Sequence, residues 1–383
     1  MQYVTHVEID LAAIAHNLAQ VRALAPGAQV LVAVKANGYG HGAVEVSRYL
    51  AGQGLADWFG VATVPEGVEL RAAGIDQPIL KFSPVLCSDE LEAALAAGIS
   101  LTVHDRAGID AVAHAAAAGR PVGVHLAIDT GMRRVGCEPA DAALLAEHIA
   151  SHPGLRFEGI FTHLPISDVP AGQDFTRTQL RLFNDIVGQI QQARAGAGLA
   201  AVPLVHAANS GAVLGHDLAG TTMVRPGIMA YGYYPDAAGT PRTVELRQAL
   251  AWKSRVSHVK RIGQGETVGY GRTWTAPTDR WIATVPIGYA DGYSRLNSNR
   301  GRMLVGGRSH PVAGRVCMDQ TMLDLGPTRP DEPAPARVGD EVVVLGAQGS
   351  EFISTDELAG LMGTISYEVV CLIAPRVQRS YLR

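Results

Sequence analysis

Short apolar runs alternate with alanine-rich amphipathic segments along the first two thirds of the chain. The runs are apolar on both faces, which is typical of strands in a parallel sheet, and they lie at 29–35, 58–62, 78–82, 99–103, 122–129, 157–163, 202–207 and 222–229. Segments 89–98 and 105–119 begin with Asp and end with Gly, as helices do. Eight such units within about 240 residues predict a (β/α)8 TIM barrel. A doubly wound open sheet is the competing fold, and the count of eight favours the barrel.

The pattern changes after Tyr234, where strand-like runs follow one another between Gly, Pro and Asp turns. We therefore predict a barrel over residues 1–240 and a mainly antiparallel C-terminal β-domain over residues 241–383. An early strand within residues 1–10 precedes the barrel and is able to pair with either the barrel or the β-domain. One late helix is expected from Thr355, with Ser354 and Glu357 forming a capping box at its start.

The composition limits which classes of binding partner we expect for this protein. The 383 residues carry a net charge of −4, which gives no electrostatic reason to expect nucleic acid or an anionic membrane. No apolar run approaches the roughly 20 residues that span a bilayer, and the start of the chain lacks the features of a signal peptide. The 4 cysteines form no C-x-x-C pair and the 13 histidines form no zinc motif. We expect a cytoplasmic protein with reduced thiols and no bound metal.

Polar residues follow the predicted barrel strands at the ends where such barrels carry their active sites. Each of them alone has an ordinary structural explanation, and only their convergence indicates a site. They are Lys35, Arg134, His163, Asn209, Ser210, Arg225, Gly227 and Ile228.

Lysine is scarce in this chain, which makes Lys35 conspicuous: only Lys81, Lys253 and Lys260 accompany it. Ser210 and Gly227 lie after strands seven and eight, the usual phosphate site of such barrels. An aldehyde cofactor with a phosphate fits this arrangement. We therefore predict pyridoxal 5′-phosphate, joined to Lys35 as a Schiff base.

Eight motifs occur in an order that resembles the alanine racemases, over nearly the whole chain. They are AVKANGYGHG, DTGMRRVG, HAANSG, RPGIMAYG, GYGRTWTA, GYADGY, GRVCMDQ and ISYEVVC. The resemblance implies a pyridoxal-phosphate enzyme that interconverts L- and D-alanine and supplies D-alanine for peptidoglycan. It also implies a homodimer in which the β-domain of each subunit completes the active site of the other.

The resemblance also implies the role of each site residue. Lys35 and Tyr270 would be the two catalytic bases, with Tyr270 supplied by the other subunit. Arg225 would face the pyridine nitrogen, and His163 would lie beside the ring and orient Arg225. The remaining implied roles are phosphate contacts at Tyr39, Ser210, Tyr367, Gly227 and Ile228, a further cofactor contact at Asn209, substrate carboxylate contacts at Arg134 and the Met318 backbone, and second-shell or entrance positions at Tyr289 and Asp319.

One position departs from the family pattern. Many relatives have a carbamylated lysine where this chain has Ala127, and its carboxylate orients the catalytic arginine. We predict that Arg134 is held here by a bound anion, a water or another side chain. The spacing favours Arg134 over Arg133 for this role. A racemase of broader or different small-amino-acid specificity, such as serine, and a non-catalytic pyridoxal-phosphate carrier are the alternatives.

Overall fold

The computed structural model describes residues 4–116, 121–236, 238–330 and 332–383. The chain divides into two compact units: residues 14–247 form one, and residues up to Ala13 join residues 248–383 in the other. The end of the predicted helix at 117–119 lies outside the described residues.

The first unit is a parallel barrel, as predicted. Its strands are β2 Gln29–Ala33, β3 Trp58–Val61, β4 Ile79–Lys81, β5 Ser100–Val103, β6 Val122–Ala127, β7 Leu155–Phe161, β8 Leu204–His206 and β9 Met223–Val224. They pair in the order β8-β7-β6-β5-β4-β3-β2-β9. The N–H of Thr222 donates to the carbonyl of Val205 (2.9 Å) and that of Arg225 to the carbonyl of Ala208 (2.8 Å), which brings β9 alongside β8 and nearly closes the ring.

Helices connect the barrel strands. They are α2 Lys35–Tyr39, α3 Ala43–Gly52, α4 Val64–Ala72, α5 Ser88–Ala96, α6 Arg106–Ala116, α7 Ala142–Ala150, α8 Gln173–Gly196 and α9 Ser210–Gly215, and α1 Leu11–Leu24 precedes β2. The start of α4 shows how local sequence sets these boundaries. Thr63 accepts a hydrogen bond from the N–H of Glu66, whose carboxylate accepts one from the N–H of Thr63. This reciprocal pair satisfies two amides that the helix itself cannot bond.

The second unit is built from strands, mostly antiparallel. They are β1 His6–Asp10, β10 Leu250–Arg255, β11 His258–Ile262, β12 Thr267–Val268, β13 Trp274–Thr275, β14 Arg280–Val285, β15 Arg302–Val305, β16 Arg308–Pro311, β17 Thr321–Pro327, β18 Glu341–Gln348, β19 Glu351–Ile353 and β20 Gln378–Leu382. β1 pairs antiparallel with β10 and parallel with β20. The helices of this unit are α10 Thr355–Met362 and α11 Ser366–Cys371.

Two details differ from the sequence expectations. The division falls after Arg247 rather than after residue 240, because Asn17 on α1 bonds both the N–H and the carbonyl of Arg247 (2.7 and 2.9 Å). Ser354 caps α10 as predicted, by accepting from the N–H of Glu357. The other predicted hydrogen bond of the capping box, from the N–H of Ser354 to the carboxylate of Glu357, is wrong. That carboxylate pairs with the guanidinium of Arg302 instead (2.6 and 2.8 Å).

Candidate active site

The segment after β2 carries Lys35 into an unusual turn. Ala36, Asn37 and Tyr39 have φ angles of 52°, 53° and 52°, in the left-handed region that side chains disfavour. The carboxylate of Glu66 accepts from the N–H of Ala36 (2.7 Å), which helps to hold the turn. Strain of this kind persists where surrounding contacts enforce it, and it clusters at functional sites. Lys35 itself is half-buried, with Nζ 5.9 Å from the ring centre of Phe82.

Tyr39, Ser210 and Gly227 meet in one small region of the barrel. A methyl group added at Gly227 would lie 2.6 Å from the hydroxyl oxygen of Tyr39, so the glycine is required for this approach. The hydroxyl oxygen of Ser210 accepts from the N–H groups of Gly227 (2.9 Å) and Met229 (3.4 Å). Because the oxygen is accepting, the hydroxyl hydrogen of Ser210 is left to donate to another group.

Two neighbouring residues have clear local roles. The side chain of Asn209 caps α9 by accepting from the N–H of Ala212 (3.1 Å), and its amide nitrogen donates to the carbonyl of Leu164 (3.0 Å). Ile228 is buried at the first position of a 3-10 helix, where backbone amides have no partner within the helix. The N–H of Gly227, which we expected to face a phosphate, instead donates to Ser210.

Arg225 follows β9 and is only 6% exposed. Its Nη1 donates to Nδ1 and to the carbonyl of His206 (2.9 and 2.6 Å), and its Nη2 donates to the carbonyls of Thr162 (2.8 Å) and Ala207 (3.2 Å). Among the residues that the structure describes, no carboxylate pairs with Arg225, and no group of any kind accepts a hydrogen bond from its Nε–H. Burial, with some repulsion from Arg134, lowers the pKa of Arg225 to about 9, so the guanidinium stays charged at neutral pH.

His163 lies in a strongly cationic part of the barrel. Burial is the main reason that its pKa falls to about 3, and the positive charges of Arg225, Arg134 and Lys35 lower the pKa further. The ring is therefore neutral at physiological pH. Its Nδ1 is 3.5 Å from Nη2 of Arg225, a longer contact than those that His206 makes with the same guanidinium. The prediction that His163 orients Arg225 thus missed His206.

The two arginines that follow β6 differ in the contacts that their guanidinium groups make. Arg133 forms an ion pair with Glu138 (3.1 Å). Arg134 is exposed, and no hydrogen bond or ion pair holds its guanidinium within residues 4–116, 121–236, 238–330 and 332–383. Ala127 is buried at the end of β6. Of these two arginines, Arg134 is the one whose guanidinium donors are unused among the described residues.

Four further predicted residues belong to the second unit and line one cavity there, of about 620 Å³: Tyr270, Tyr289, Met318 and Asp319. Tyr270 lies between Gly269 and Gly271, whose φ angles of 73° and 72° make the tight turn that leaves its ring 75% exposed. Gly288 allows the backbone at Met318 to come close, because a methyl group there would lie 2.3 Å from the Met318 carbonyl.

The contacts around this cavity fix some of its polar groups. Asp319 accepts a hydrogen bond from Arg376 (2.7 Å), whose Nε donates to the fully buried Asp291 (2.8 Å). These two carboxylates raise the pKa of Arg376. The N–H of Met318 donates to no group in the described part of the chain. Tyr367 lies on α11 of the same unit and is half-buried.

One group of side chains away from these residues has the composition of a metal site. Ligand atoms of Asp110, His148 and His152 lie within 4.8 Å of one another. Arg106, however, donates to Nδ1 of His148 (3.0 Å), so the proton of this neutral ring is on Nε2, which faces Asp110. A metal ligand would need a lone pair at that nitrogen. The contacts favour a hydrogen-bonded cluster over a metal site.

Comparison with known proteins decides the family. The model of the alanine racemase N-terminal domain matches residues 9–235, and that of the C-terminal domain matches residues 249–381. The chain belongs to the alanine racemase family. It is accordingly an isomerase that acts on an amino acid.

Individual relatives agree over nearly full length. The alanine racemase of Cutibacterium acnes is 50% identical, covering 99% of this chain and 98% of its own. The alanine racemase structure from a D-cycloserine-producing Streptomyces lavendulae has a TM-score of 0.89 at 35% identity, covering 100% and 98%. That from Bacillus anthracis, with bound L-Ala-P, has a TM-score of 0.89 at 32% identity, covering 100% and 96%. In the described part of the chain, no helix combines the length and apolarity needed to cross a bilayer.

Proposed function

We propose that this chain interconverts L- and D-alanine with pyridoxal 5′-phosphate held covalently by Lys35, and that Tyr270 from a second copy supplies the opposing base. The observation that supports this most is the environment of Arg225. A buried, charged guanidinium has neutral histidine and carbonyl partners, and its Nε–H is unused among the described residues. The Nε–H of Arg225 is therefore a donor suited to an unprotonated pyridine nitrogen of the cofactor.

The remaining polar groups of the barrel fit the rest of the cofactor. Ser210 keeps a hydroxyl hydrogen to donate, and the hydroxyl of Tyr39 lies against the glycine at position 227. Both hydroxyls are suited to phosphate oxygens, together with the N–H of Ile228. Two other lysines have structural contacts: Lys81 donates to the carbonyl of Pro84 (2.7 Å) and Lys253 pairs with Glu8 (2.9 Å).

The cofactor, when bound, withdraws electrons from the α-carbon of the amino acid and so makes its α-hydrogen acidic. Racemisation then requires a proton to leave one face of that carbon and another to arrive on the opposite face. Lys35 would take or give the proton through its amine nitrogen on one face. Tyr270 would do the same through its phenol oxygen on the other. In one direction Lys35 accepts a proton and Tyr270 donates one, and in the reverse direction these roles are exchanged. Each direction therefore leaves the two bases in the protonation states that the other direction requires.

Arg225 would restrain the chemistry of the ring. A guanidinium donates a hydrogen bond but does not transfer its proton at neutral pH, so a ring nitrogen facing it stays largely unprotonated. A carboxylate in the same position would favour a protonated nitrogen and stronger electron withdrawal. The arginine therefore favours simple proton exchange at the α-carbon over decarboxylation or transamination.

Arg134 of one copy and the N–H of Met318 supplied by the second copy would bind the carboxylate of the substrate. Their donors are unused within the described residues, and a guanidinium is well suited to a carboxylate. With Ala127 in place of a lysine, and with no described side chain holding Arg134, a small bound anion is the partner that best fits this arginine.

The second copy is inferred from the exposed tyrosines. Tyr270 and Tyr289 are 75% and 42% exposed at the cavity of the second unit, beside Arg295 and Arg315. Exposed aromatic residues clustered at a cavity are typical of an interaction surface. A homodimer in which each such surface faces the barrel of the other subunit would use these side chains.

An isotope experiment tests the proposal. The purified protein is supplied with pyridoxal phosphate and L-alanine in heavy water, and the product is examined by NMR and chiral chromatography. We expect deuterium at the α-carbon together with D-alanine, the precursor that peptidoglycan synthesis requires. A carrier protein would bind the cofactor and leave L-alanine unchanged, which would refute the proposal. A parallel reaction with L-serine would reveal the broader specificity if it were equally fast.

A further inference from the structure

A line of polar side chains runs from Arg225 through the barrel interior; its first three members are buried and its last, Glu158, is partly buried. We call Arg225, His206, His125 and Glu158 the histidine relay. Nη1 of Arg225 is 2.9 Å from Nδ1 of His206, and Nε2 of His206 is 2.9 Å from Nδ1 of His125. Nε2 of His125 lies 3.8 Å from the carboxylate of Glu158, beyond hydrogen-bond distance but close enough for attraction. Both histidine side chains are completely buried.

The arginine determines where every proton in the relay lies. Arg225 can only donate, so Nδ1 of His206 must accept, and the proton of a neutral His206 is on Nε2. That N–H needs an acceptor, so Nδ1 of His125 carries no proton and Nε2 of His125 carries one. The N–H of His125 then points to Glu158. A positively charged ring at either position would set two donors against each other.

The electrostatics agree with this assignment. Burial is the main reason that the pKa values of His125 and His206 are lowered, so both rings are neutral at physiological pH. Burial alone would raise the pKa of Glu158, but contacts with His125, Ser100 and Arg156 outweigh it and keep that pKa below its usual value. Glu158 is therefore a carboxylate, aligned with the relay and opposite in charge to Arg225.

The backbone makes room for the relay. The pairing of β6 with β7 passes from Val124 opposite Phe157 to His125 opposite Gly159, which leaves Glu158 as an extra residue at a bulge. Bulges redirect side chains and are frequent beside active sites. A methyl group at Gly159 would lie 2.2 Å from Nδ1 of His125, so only glycine leaves space for the ring.

We propose that His125 and Glu158 are positioning residues that act through His206 to fix the orientation in which Arg225 presents its Nε–H to the cofactor ring. This rests on the proposed function in one respect, namely that Arg225 faces the ring nitrogen. The relay itself, from Arg225 to Glu158, is a property of the chain. Neither His125 nor Glu158 would contact the cofactor.

The first test is the position of the protons. In the full-length protein labelled with ¹⁵N-histidine and free of cofactor, a two-bond ¹H–¹⁵N spectrum at neutral pH distinguishes the two ring nitrogens. We expect His206 and His125 both to carry their proton on Nε2, with Nδ1 unprotonated. A proton on Nδ1 of His206 would overturn the proposal, and because no cofactor is present, this result is independent of whether the racemase assay succeeds.

The second test is cofactor binding by matched variants. His125→Leu removes the acceptor of the His206 N–H, whereas the amide oxygen of His125→Asn is able to replace it. Loss of one buried hydrogen bond corresponds to roughly tenfold weaker binding of pyridoxal phosphate in equilibrium dialysis, and we expect His125→Asn to recover most of it. Thr102→Val is the control, since Thr102 pairs with His125 in the sheet and its hydroxyl, among the described residues, donates to the carbonyl of Lys81 and not to the relay.

The comparison has clear outcomes. Equal losses in His125→Leu and Thr102→Val, or no recovery in His125→Asn, would show that the histidine only fills the barrel. Should His125→Leu fail to fold, Glu158→Gln preserves the shape and removes the charge. We then expect weaker cofactor binding and an upfield shift of the His125 Nε2 proton, and the absence of both changes would contradict the proposal.

Discussion

Gly227→Ala tests the proposed phosphate region most directly, because the structure shows which atoms the added methyl group would meet. The new carbon would lie 2.6 Å from the hydroxyl oxygen of Tyr39, 3.2 Å from its Cζ and 3.8 Å from the Cβ of Ala33. An ordinary contact requires the hydroxyl to retreat by about 0.8 Å, and Tyr39 is only 7% exposed, which leaves it little freedom. Overpacking of this kind costs about 1–3 kcal/mol.

If that energy is lost from cofactor binding, the dissociation constant for pyridoxal phosphate rises about 5- to 150-fold. Equilibrium dialysis measures this constant, and a thermal melt checks that the fold is retained. Gly188→Ala is the control, since Gly188 lies in α8 with nothing within 4 Å of an added methyl group. That change should leave binding unaltered and slightly increase stability, because alanine is favoured over glycine in a helix.

A double-mutant cycle with Tyr39→Phe separates the clash from other effects. Without the hydroxyl, the nearest tyrosine-ring atom to the new methyl group is the former Cζ at 3.2 Å, so Gly227→Ala should weaken binding less on this background. Equal penalties on both backgrounds, or normal binding by Gly227→Ala alone, would refute the reasoning about this region.

Three further predictions concern the proton chemistry, the substrate arginine and acid stability. In Tyr270→Phe we expect interconversion of the alanine enantiomers to fall about 10²–10⁴-fold while one enantiomer still exchanges its α-proton with heavy water through Lys35; undiminished interconversion would exclude Tyr270 as a base. If a small anion holds Arg134, replacing chloride by gluconate should raise the KM for alanine about threefold or more, with a smaller change in kcat. Ala127→Lys in bicarbonate should lessen this dependence on the anion. A KM that does not change with the anion would argue against a bound anion at Arg134. The pKa of His163 is about 3 in the folded chain and about 6.5 in the unfolded chain. Below pH 6.5 the unfolded chain therefore binds one more proton than the folded chain. The free energy of unfolding then falls on acidification by up to about 1.4 kcal/mol per pH unit. His163→Gln should lessen that slope in urea unfolding between pH 7 and 5, and an unchanged slope would contradict it.

The barrel could be predicted from the sequence because its strands are apolar on both faces. All eight predicted runs overlap a strand, although β7 begins at Leu155, two residues before its run, and β9 is only Met223–Val224 within the run 222–229. The end of the first domain could not be predicted from composition. It is set by hydrogen bonds between Asn17 and Arg247, whose side-chain and backbone groups are far apart in the sequence.

Part of the candidate site could be proposed from the sequence, and these residues remain a prediction. Strand ends identified Lys35, Ser210 and Arg225, because parallel strands bring their carboxyl ends to one rim. His125 and His206 were missed, since a histidine inside an apolar run gives no indication of what it contacts. The only signal was that each is a polar residue in an otherwise apolar strand, and the bulge that aligns His125 with Glu158 depends on pairing between strands.

The central claim is that Lys35 carries the cofactor. The purified protein is incubated with pyridoxal phosphate, reduced with borohydride to make the bond permanent, digested and analysed by mass spectrometry. We expect the added pyridoxyl group on the peptide that contains Lys35, and its loss in Lys35→Arg. Label on Lys81, Lys253 or Lys260 instead, or no label at all, would contradict the account.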